Sequence, residues 1–197
     1  MNPLLLDIPE HVVTARLSLR SYRPGDGPVY FQAVRTNWSH LYEFLPPELM
    51  AWQSETDAEI RIRQLMAEWQ MRRLFLFGMW EQRTGAYVGE TYLANADWHV
   101  PCIELGYFLL ANSTGQGFAT EAARGVIRFA FEHLRVMRIE LHCDADNQAS
   151  INLAVRCGFQ QEGHFRQRHR KKDGTIVDRL WYGLLFSEWQ ALQADES

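Results

Sequence analysis

The sequence predicts an α/β protein built around a mixed sheet, with elements in the order β-α-α-β-β-β-α-β-α-β-β. Three observations carry this. Turn signals join neighbouring strand-like runs at Arg83-Thr84-Gly85 and at Lys171-Lys172-Asp173-Gly174, which marks antiparallel hairpins. Two strand–helix–strand crossovers are mixed with these hairpins, so a mixed sheet in an α/β layer arrangement is expected. Residues 118–134 carry Ala119, Ala122, Ala123, Val126, Ile127, Ala130 and Leu134 at helical spacing, the clearest helix of the chain.

Each element has a local reason. Residues 16–22 alternate apolar and polar and form the first strand. The turn cluster Pro24-Gly25-Asp26-Gly27-Pro28 leads to a short helix over 29–36. Residues 37–50 hold Trp38, Leu41, Phe44, Leu45 and Pro46-Pro47, a mixed apolar loop with room for one helical turn. An imperfect amphipathic face predicts a helix over 57–73, with Ser54 and Thr56 as candidate caps. Strands follow at 74–81, 87–94 and 102–110, with a loop at 95–101. A strand is expected at 138–143 and a helix at 147–157, ended by Gly158. The last strands fall at 159–168 and 175–186, and the final residues read as a frayed tail.

At 197 residues the chain suits a single domain, 1–197. It is 47% hydrophobic and 22% charged, so a sizeable core is available. A net charge of −4 gives no reason to expect nucleic-acid binding. Cys102, Cys143 and Cys157 have no metal-like spacing, and an odd, sparse count suits free thiols in a reducing cytoplasm. No apolar run reaches a membrane span and no signal pattern opens the chain, so a soluble cytoplasmic protein, monomer or homodimer, is expected.

Residues 114–123, Thr-Gly-Gln-Gly-Phe-Ala-Thr-Glu-Ala-Ala, join the 102–110 strand to the main helix. Glycines allow a tight turn and close approach to a ligand. The first helical turn adds unpaired N–H groups and the positive end of a dipole. The combination is an anion cradle suited to phosphate or pyrophosphate.

The order of elements, with Val88-Gly89-Glu90, Ile103-Glu104-Leu105-Gly106-Tyr107, Gly115-Gln116-Gly117-Phe118-Ala119-Thr120-Glu121-Ala122, Arg138-Ile139-Glu140-Leu141, Asn147-Gln148-Ala149-Ser150, Gly158-Phe159 and Glu162-Gly163, resembles the GNAT superfamily of N-acetyltransferases. Within it the pattern is most similar to the ribosomal-protein N-terminal acetyltransferases. The resemblance spans about residues 14–190. It implies a mostly antiparallel central sheet with helices on both faces, and acetyl-CoA as cofactor. It further implies pyrophosphate on the backbone of Thr114, Gly115, Gln116, Gly117, Phe118 and Ala119, extending to Thr120. The pantetheine arm would lie along Phe108, Leu109 and Leu110, and Asn147 would meet it. Relatives often place Gln or Arg where this chain has Thr114. Arg124, Arg128 and Arg156 are candidates for the 3′-phosphate.

Amine acetylation needs a neutral amine, a polarised thioester and a proton for the departing thiolate. His142, near the end of a strand, suits a base near neutral pH or a packed sheet residue. Ser150 suits a proton donor to the thiolate, or a first-turn residue behind an Asn147 cap. Glu162 is a further candidate base, or an exposed strand residue. Glu90 and Glu104 sit among apolar residues on central strands, and either could bind an ammonium or form an ion pair. Trp38, Tyr42, Phe44 and Trp52 could wall an acceptor pocket or cover the core, and Trp98-His99 could narrow the same groove. His164 and His169 show no metal pattern, so no metal is expected.

These features predict an acetyl-CoA-dependent N-acetyltransferase acting by direct attack in a ternary complex. The acceptor would be a protein N-terminus or a small amine or amino-acid derivative. An acyl-CoA-binding regulatory module without turnover is the alternative. A nucleotide-triphosphate enzyme is disfavoured, because the loop lacks Gly-Lys-Ser/Thr.

Overall fold

The computed structural model describes residues 2–42 and 53–195. Expectations for Phe44, Pro46-Pro47 and Trp52 fall outside these residues. The strands are β1 (His11–Val13), β2 (Leu17–Ser21), β3 (Phe75–Glu81), β4 (Tyr87–Asp97), β5 (Cys102–Leu109), β6 (Arg138–Asp144), β7 (Gln160–Arg170) and β8 (Ile176–Leu185). The helices are α1 (Gly27–Thr36), α2 (Trp38–Leu41), α3 (Glu55–Gln70), α4 (Phe118–Phe129), α5 (Gln148–Arg156) and α6 (Phe186–Asp195). One sheet runs in the order β1-β2-β3-β4-β5-β6-β8-β7, and only the β5–β6 pair is parallel. That parallel pair is what α4 crosses over to make.

Two apolar cores sandwich the sheet. Along β3, Phe75, Phe77 and Met79 join the core beneath α4, while Leu76 joins the core beneath α1 and α3. This is the two-residue alternation of a strand buried on both faces. In the second half of the sheet the alternation has a different outcome. Ile139, Leu141 and Cys143 of β6, and Leu180, Tyr182 and Leu184 of β8, enter the α4 core. Their neighbours Glu140, His142, Asp144, Arg179 and Trp181 therefore face the other way, where α1–α3 do not reach.

Local chemistry explains the helix ends. Ser54 caps α3 in a capping box with Asp57, as expected of the first of the two candidate caps. Asn147 caps α5 through Ser150 N–H at 3.1 Å. Gly158 ends α5 at φ +85°, a conformation glycine adopts without strain. The main helix closes with a wider turn over Ala130–Leu134.

Three elements differ from the sequence expectation. A short β1 precedes the first expected strand; three residues are too few for a period to show. β4 continues through the expected 95–101 loop as far as Asp97, with a register shift after Ala94 and a left-handed Asn95 at φ +53°. The expected frayed tail is helix α6, anchored by Phe186 and Trp189 against Phe131 at ring distances of 5.6 and 5.2 Å. That anchor is a tertiary contact that no local pattern announces.

Phe129 sits at the centre of the α4 core, 1% exposed, with Phe77 at 5.1 Å and Trp69 at 6.1 Å. Phe129→Ala should lower the unfolding free energy by about 3–5 kcal/mol. Urea titration would read this as a lower midpoint at unchanged slope.

Candidate active site

β5 and β6 are hydrogen-bonded only at their starts, through Cys102–Arg138, Ile103–Ile139 and Glu104–Glu140. Beyond these pairs the strands diverge. β5 stays paired with β4 up to Leu109, so its other edge opens into the gap. Two clefts occupy this region, and they share Tyr107, Asn147 and Ser150.

The first cleft, about 310 Å³, is bounded by the end of β5, the glycine loop and α5. Phe108, Leu109, Thr114, Gly115, Gly117, Ala119, Thr120, Asn147, Ser150 and Arg156 of the expected residues line it. Gly115 and Gly117 have φ of +73° and +81°. Gly117 opens α4 without any side-chain cap, so the first N–H groups remain for an incoming acceptor. A Cβ at Gly115 would meet nothing within 4 Å, and one at Gly117 only the Arg16 guanidinium at 3.4 Å. The loop is therefore open on its outer side, as a phosphate-bearing ligand requires. Arg16 braces it from behind. Its Nη1 donates to Gln116 O at 2.9 Å, and its Nε meets Glu121 at 2.6 Å. His40 of α2 lies on the opposite wall, with Nε2 3.1 Å from Leu109 O.

The second cleft, about 530 Å³, is polar and lies on the face that α1–α3 leave uncovered. Two histidine–carboxylate pairs line it. His142 Nδ1 is 3.3 Å from Glu104 Oε1, and Glu104 Oε2 accepts from Asn95 Nδ2 at 2.7 Å. The His142 ring lies against Trp181, tilted by 36° with centroids 4.1 Å apart. Burial holds the His142 pKa below the ordinary 6.5 against the opposing pull of Glu104, with Arg179 adding to the lowering. His169 Nδ1 is 2.8 Å from Asp144 Oδ1, and Arg179 lies 3.6 Å from the same oxygen. Both pairs leave a ring Nε2 for other partners.

At the junction, the Tyr107 hydroxyl meets Ser150 Oγ at 3.1 Å. Burial raises the Tyr107 pKa, while the Ser150 bond lowers it in part. Gly106 belongs to this arrangement, because a Cβ there would fall 2.1 Å from the Tyr92 ring. Glycine lets Tyr92 cross the strand and line the second cleft.

The model of an Acetyltransferase (GNAT) domain matches residues 16–160. The chain belongs to the GNAT acetyltransferase family. An N-acetyltransferase of Bacillus licheniformis, p20, is 29% identical over 180 residues, covering 91% of this chain and 98% of that protein. A Vibrio cholerae structure, provisionally described as a ribosomal-protein-serine acetyltransferase, is 27% identical at a TM-score of 0.74, covering 91% and 99%. RimL, a ribosomal L7/L12 alpha-N-protein acetyltransferase solved with coenzyme A, shares the fold at a TM-score of 0.81 and 20% identity, covering 89% and 98%. The resemblance to the ribosomal-protein branch therefore stands. The protein is an N-acetyltransferase with acetyl-CoA as cosubstrate.

Several expected residues of this acetyltransferase lie elsewhere. Glu162 does not line either cleft; Arg138 holds its carboxylate at the opposite end of β6, with one bond at 2.8 Å, and draws its pKa down. This removes Glu162 from the candidate bases. Glu90 is buried in a tyrosine cluster, accepting from Tyr22 at 2.9 Å and from Tyr30, and it lines neither of these two clefts. Trp38 packs on the core beneath α1, with Tyr42 beside it at 5.9 Å, and neither lines the clefts. Leu110 packs on that core too, Phe118 at the start of α4 is buried in the core beneath the helix, and Gln116 turns its amide to Asn112 O at 2.8 Å. Trp98 packs on the α4 side, so it does not narrow the groove. Sequence reasoning passed over Tyr107, His169, Asp144 and Arg179. Tyr107 ends the Ile103–Tyr107 motif, and His169 has no partner within its own segment. Their partners come from other strands, which no local spacing reveals.

The glycine loop yields a binding prediction. Acetyl-CoA at a hundredfold excess over its Kd should stabilise the wild type by about 2.7 kcal/mol. Gly117→Glu should abolish that shift in a thermal melt, and Gly117→Ala should separate backbone strain from charge.

Glu90 yields a second. Burial raises its pKa from 4.5 to about 7. The folded state then binds more protons than the unfolded state between these values. Stability should fall as pH rises from about 4.5 to 7 and level off above, a change of up to about 3 kcal/mol. Glu90→Gln should flatten this slope in denaturant titrations across that range.

Proposed function

We propose that the protein moves an acetyl group from acetyl-CoA to the primary amine of a protein N-terminus. Donor and acceptor enter from the two clefts and meet at Tyr107 and Ser150. The observation that supports this most directly is that the clefts share those residues and little else. Residues 1–197 would form one acetyltransferase domain, since β7 and β8 complete the sheet beyond the matched residues.

Acetyl-CoA, when bound, supplies a thioester already reactive toward a neutral amine. The chain's own groups do the rest. The N–H groups of the 114–120 loop and the α4 dipole hold phosphate. Arg124, Arg128 and Arg156 border adjoining surface hollows and supply charge for an outer phosphate. The edge of β5 at Phe108 and Leu109 runs along the first cleft where an amide-bearing arm would lie, and the Leu109 carbonyl there already accepts from His40 at 3.1 Å. Asn147 Oδ1 is committed to the α5 cap, which leaves its amide N–H groups to donate.

His142 Nε2 takes the proton of the entering ammonium, with Glu104 stabilising the imidazolium through Nδ1–H. A depressed pKa keeps the ring neutral near pH 7 and ready to accept. Ser150, hydrogen-bonded to Tyr107, gives its proton to the sulfur as the C–S bond breaks and regains one from the nitrogen as the amide forms, while Tyr107 orients and polarises the hydroxyl. Proton-transfer groups gathered at this junction argue against a module that only binds.

Ser150→Ala should lower kcat by about 10²–10³-fold with little change in acetyl-CoA affinity. Tyr107→Phe should lower kcat too, and the double variant should lose less than the product of the two. His142→Ala should remove the limb of the kcat/KM profile that lies below pH 6.5. Rates with an N-terminal peptide and with a set of small amines test the acceptor class. A small amine that outpaces every peptide would overturn the peptide reading.

A further inference from the structure

Basic charge in this chain is concentrated beside the acceptor cleft. Residues 166–172, Arg-Gln-Arg-His-Arg-Lys-Lys, hold five of the 20 lysines and arginines, including both lysines of the chain. The whole protein nevertheless carries a net −4. The segment ends edge strand β7 and enters the β7–β8 turn. Between Phe165 and His169 the register shifts and Gln167 takes φ +52°, so Arg166 and Arg168 belong to a bulge. Arg166, Arg168 and Arg170 are exposed. Among the described residues none of the three forms an ion pair, and Arg170 Nη1 donates to Gly174 O at 3.1 Å.

The nearby carboxylates are already engaged. Asp178 accepts from His164 and from Gln167 N–H, Asp173 accepts from Thr175 N–H, and Asp146 pairs with Lys171 at 2.5 Å. A bulge and charges on an edge strand guard against pairing with another sheet. One or two charges would suffice for that. This strip also runs without a break into His169 and Lys171, which line the acceptor cleft. The deep wall of the same cleft carries Glu104 and Asp144. Glu104 and Asp144 are the less exposed carboxylates of the cleft, Asp144 with Arg179 beside it, while the excess of cations lies along β7 and its turn.

We propose that the acceptor is a polypeptide whose terminal amine is followed by acidic residues, and that Arg166 and Arg168 draw this acidic stretch onto β7. This rests on the peptide-acceptor reading above. The amine meets the cleft carboxylates, and the following Asp or Glu side chains meet the arginines at the rim. Contacts of this kind act mainly on encounter and are screened by salt. Nucleic acid is the weaker partner for the strip, because the remainder of the chain is net acidic and the cleft walls carry carboxylates.

The test compares two peptides with the same first two residues, one continuing with Asp and Glu and the other with Ser and Gln. A small amine serves as third acceptor. The enzyme variant is Arg166→Gln/Arg168→Gln, which leaves the Arg170 turn bond in place. Wild-type kcat/KM should favour the acidic peptide by about three- to tenfold at low salt, and the preference should collapse at 0.5 M salt. The variant should lose the preference while keeping its rate on the neutral peptide and the small amine. Equal kcat/KM for both peptides in the wild type would overturn the inference and leave the peptide reading intact. Failure to acetylate either peptide while the small amine reacts would overturn the peptide reading itself. An acidic preference that survives in the variant, with loss of binding to a short RNA duplex instead, would assign the strip to RNA.

Discussion

Everything at the site depends on one backbone constraint. The parallel pair β5–β6 closes for three residue pairs and then opens. A strand edge inside a sheet carries unpaired N–H and C=O groups, which are costly unless something pairs with them. The end of β5 is held from its other side by β4, so it cannot move to follow β6. The gap is therefore built in, and it leaves a cleft along the end of β5. The α4 N-terminus and Asn147 converge on it because α4 and α5 both leave from this end of the sheet.

Glu104 on β5, Glu90 on β4 and Glu162 on edge strand β7 show how surroundings set chemistry. Glu104 shares its oxygens between His142 and Asn95 in an open polar cleft. Glu90 sits among Tyr22, Tyr30 and Tyr87, where burial lifts its pKa to about 7. Glu162 is held by Arg138, which keeps it ionised and occupied. Only the first faces a substrate-sized space with a free partner nitrogen beside it. The same residue type thus becomes an orienting group, a buried proton holder or half of a surface ion pair.

The two faces of β6 divide the labour of the second half of the sheet. Ile139, Leu141 and Cys143 anchor it to the α4 core, while His142 and Asp144 stand on the opposite face and line the second cleft. Anchoring one side fixes the position of the other. The histidines therefore need little support beyond their carboxylate partners and the Trp181 ring. Trp181 belongs to β8, so the platform exists only once β8 has paired with β6.

Local pattern was enough for the order of elements, the glycine loop, the Ser54 and Asn147 caps and the family. Each of these rests on residues close together in the chain, where period, turn chemistry and spacing act directly. The positions of Ser150, Asn147 and the loop glycines at the ends of their helices were legible for that reason. The roles of Glu90 and Glu162 were not, because burial and pairing are decided by residues of other strands and helices. Tyr107 and His169 were missed on the same ground, since their partners Ser150 and Asp144 lie 43 and 25 residues away. Helix α6 escaped notice because its stability comes from ring contacts with Phe131 and not from its own periodicity. The sequence determined which groups the protein owns and how each segment would fold. The tertiary structure decided which of those groups share a cleft, because strand order and the opening between β5 and β6 are properties of the whole sheet.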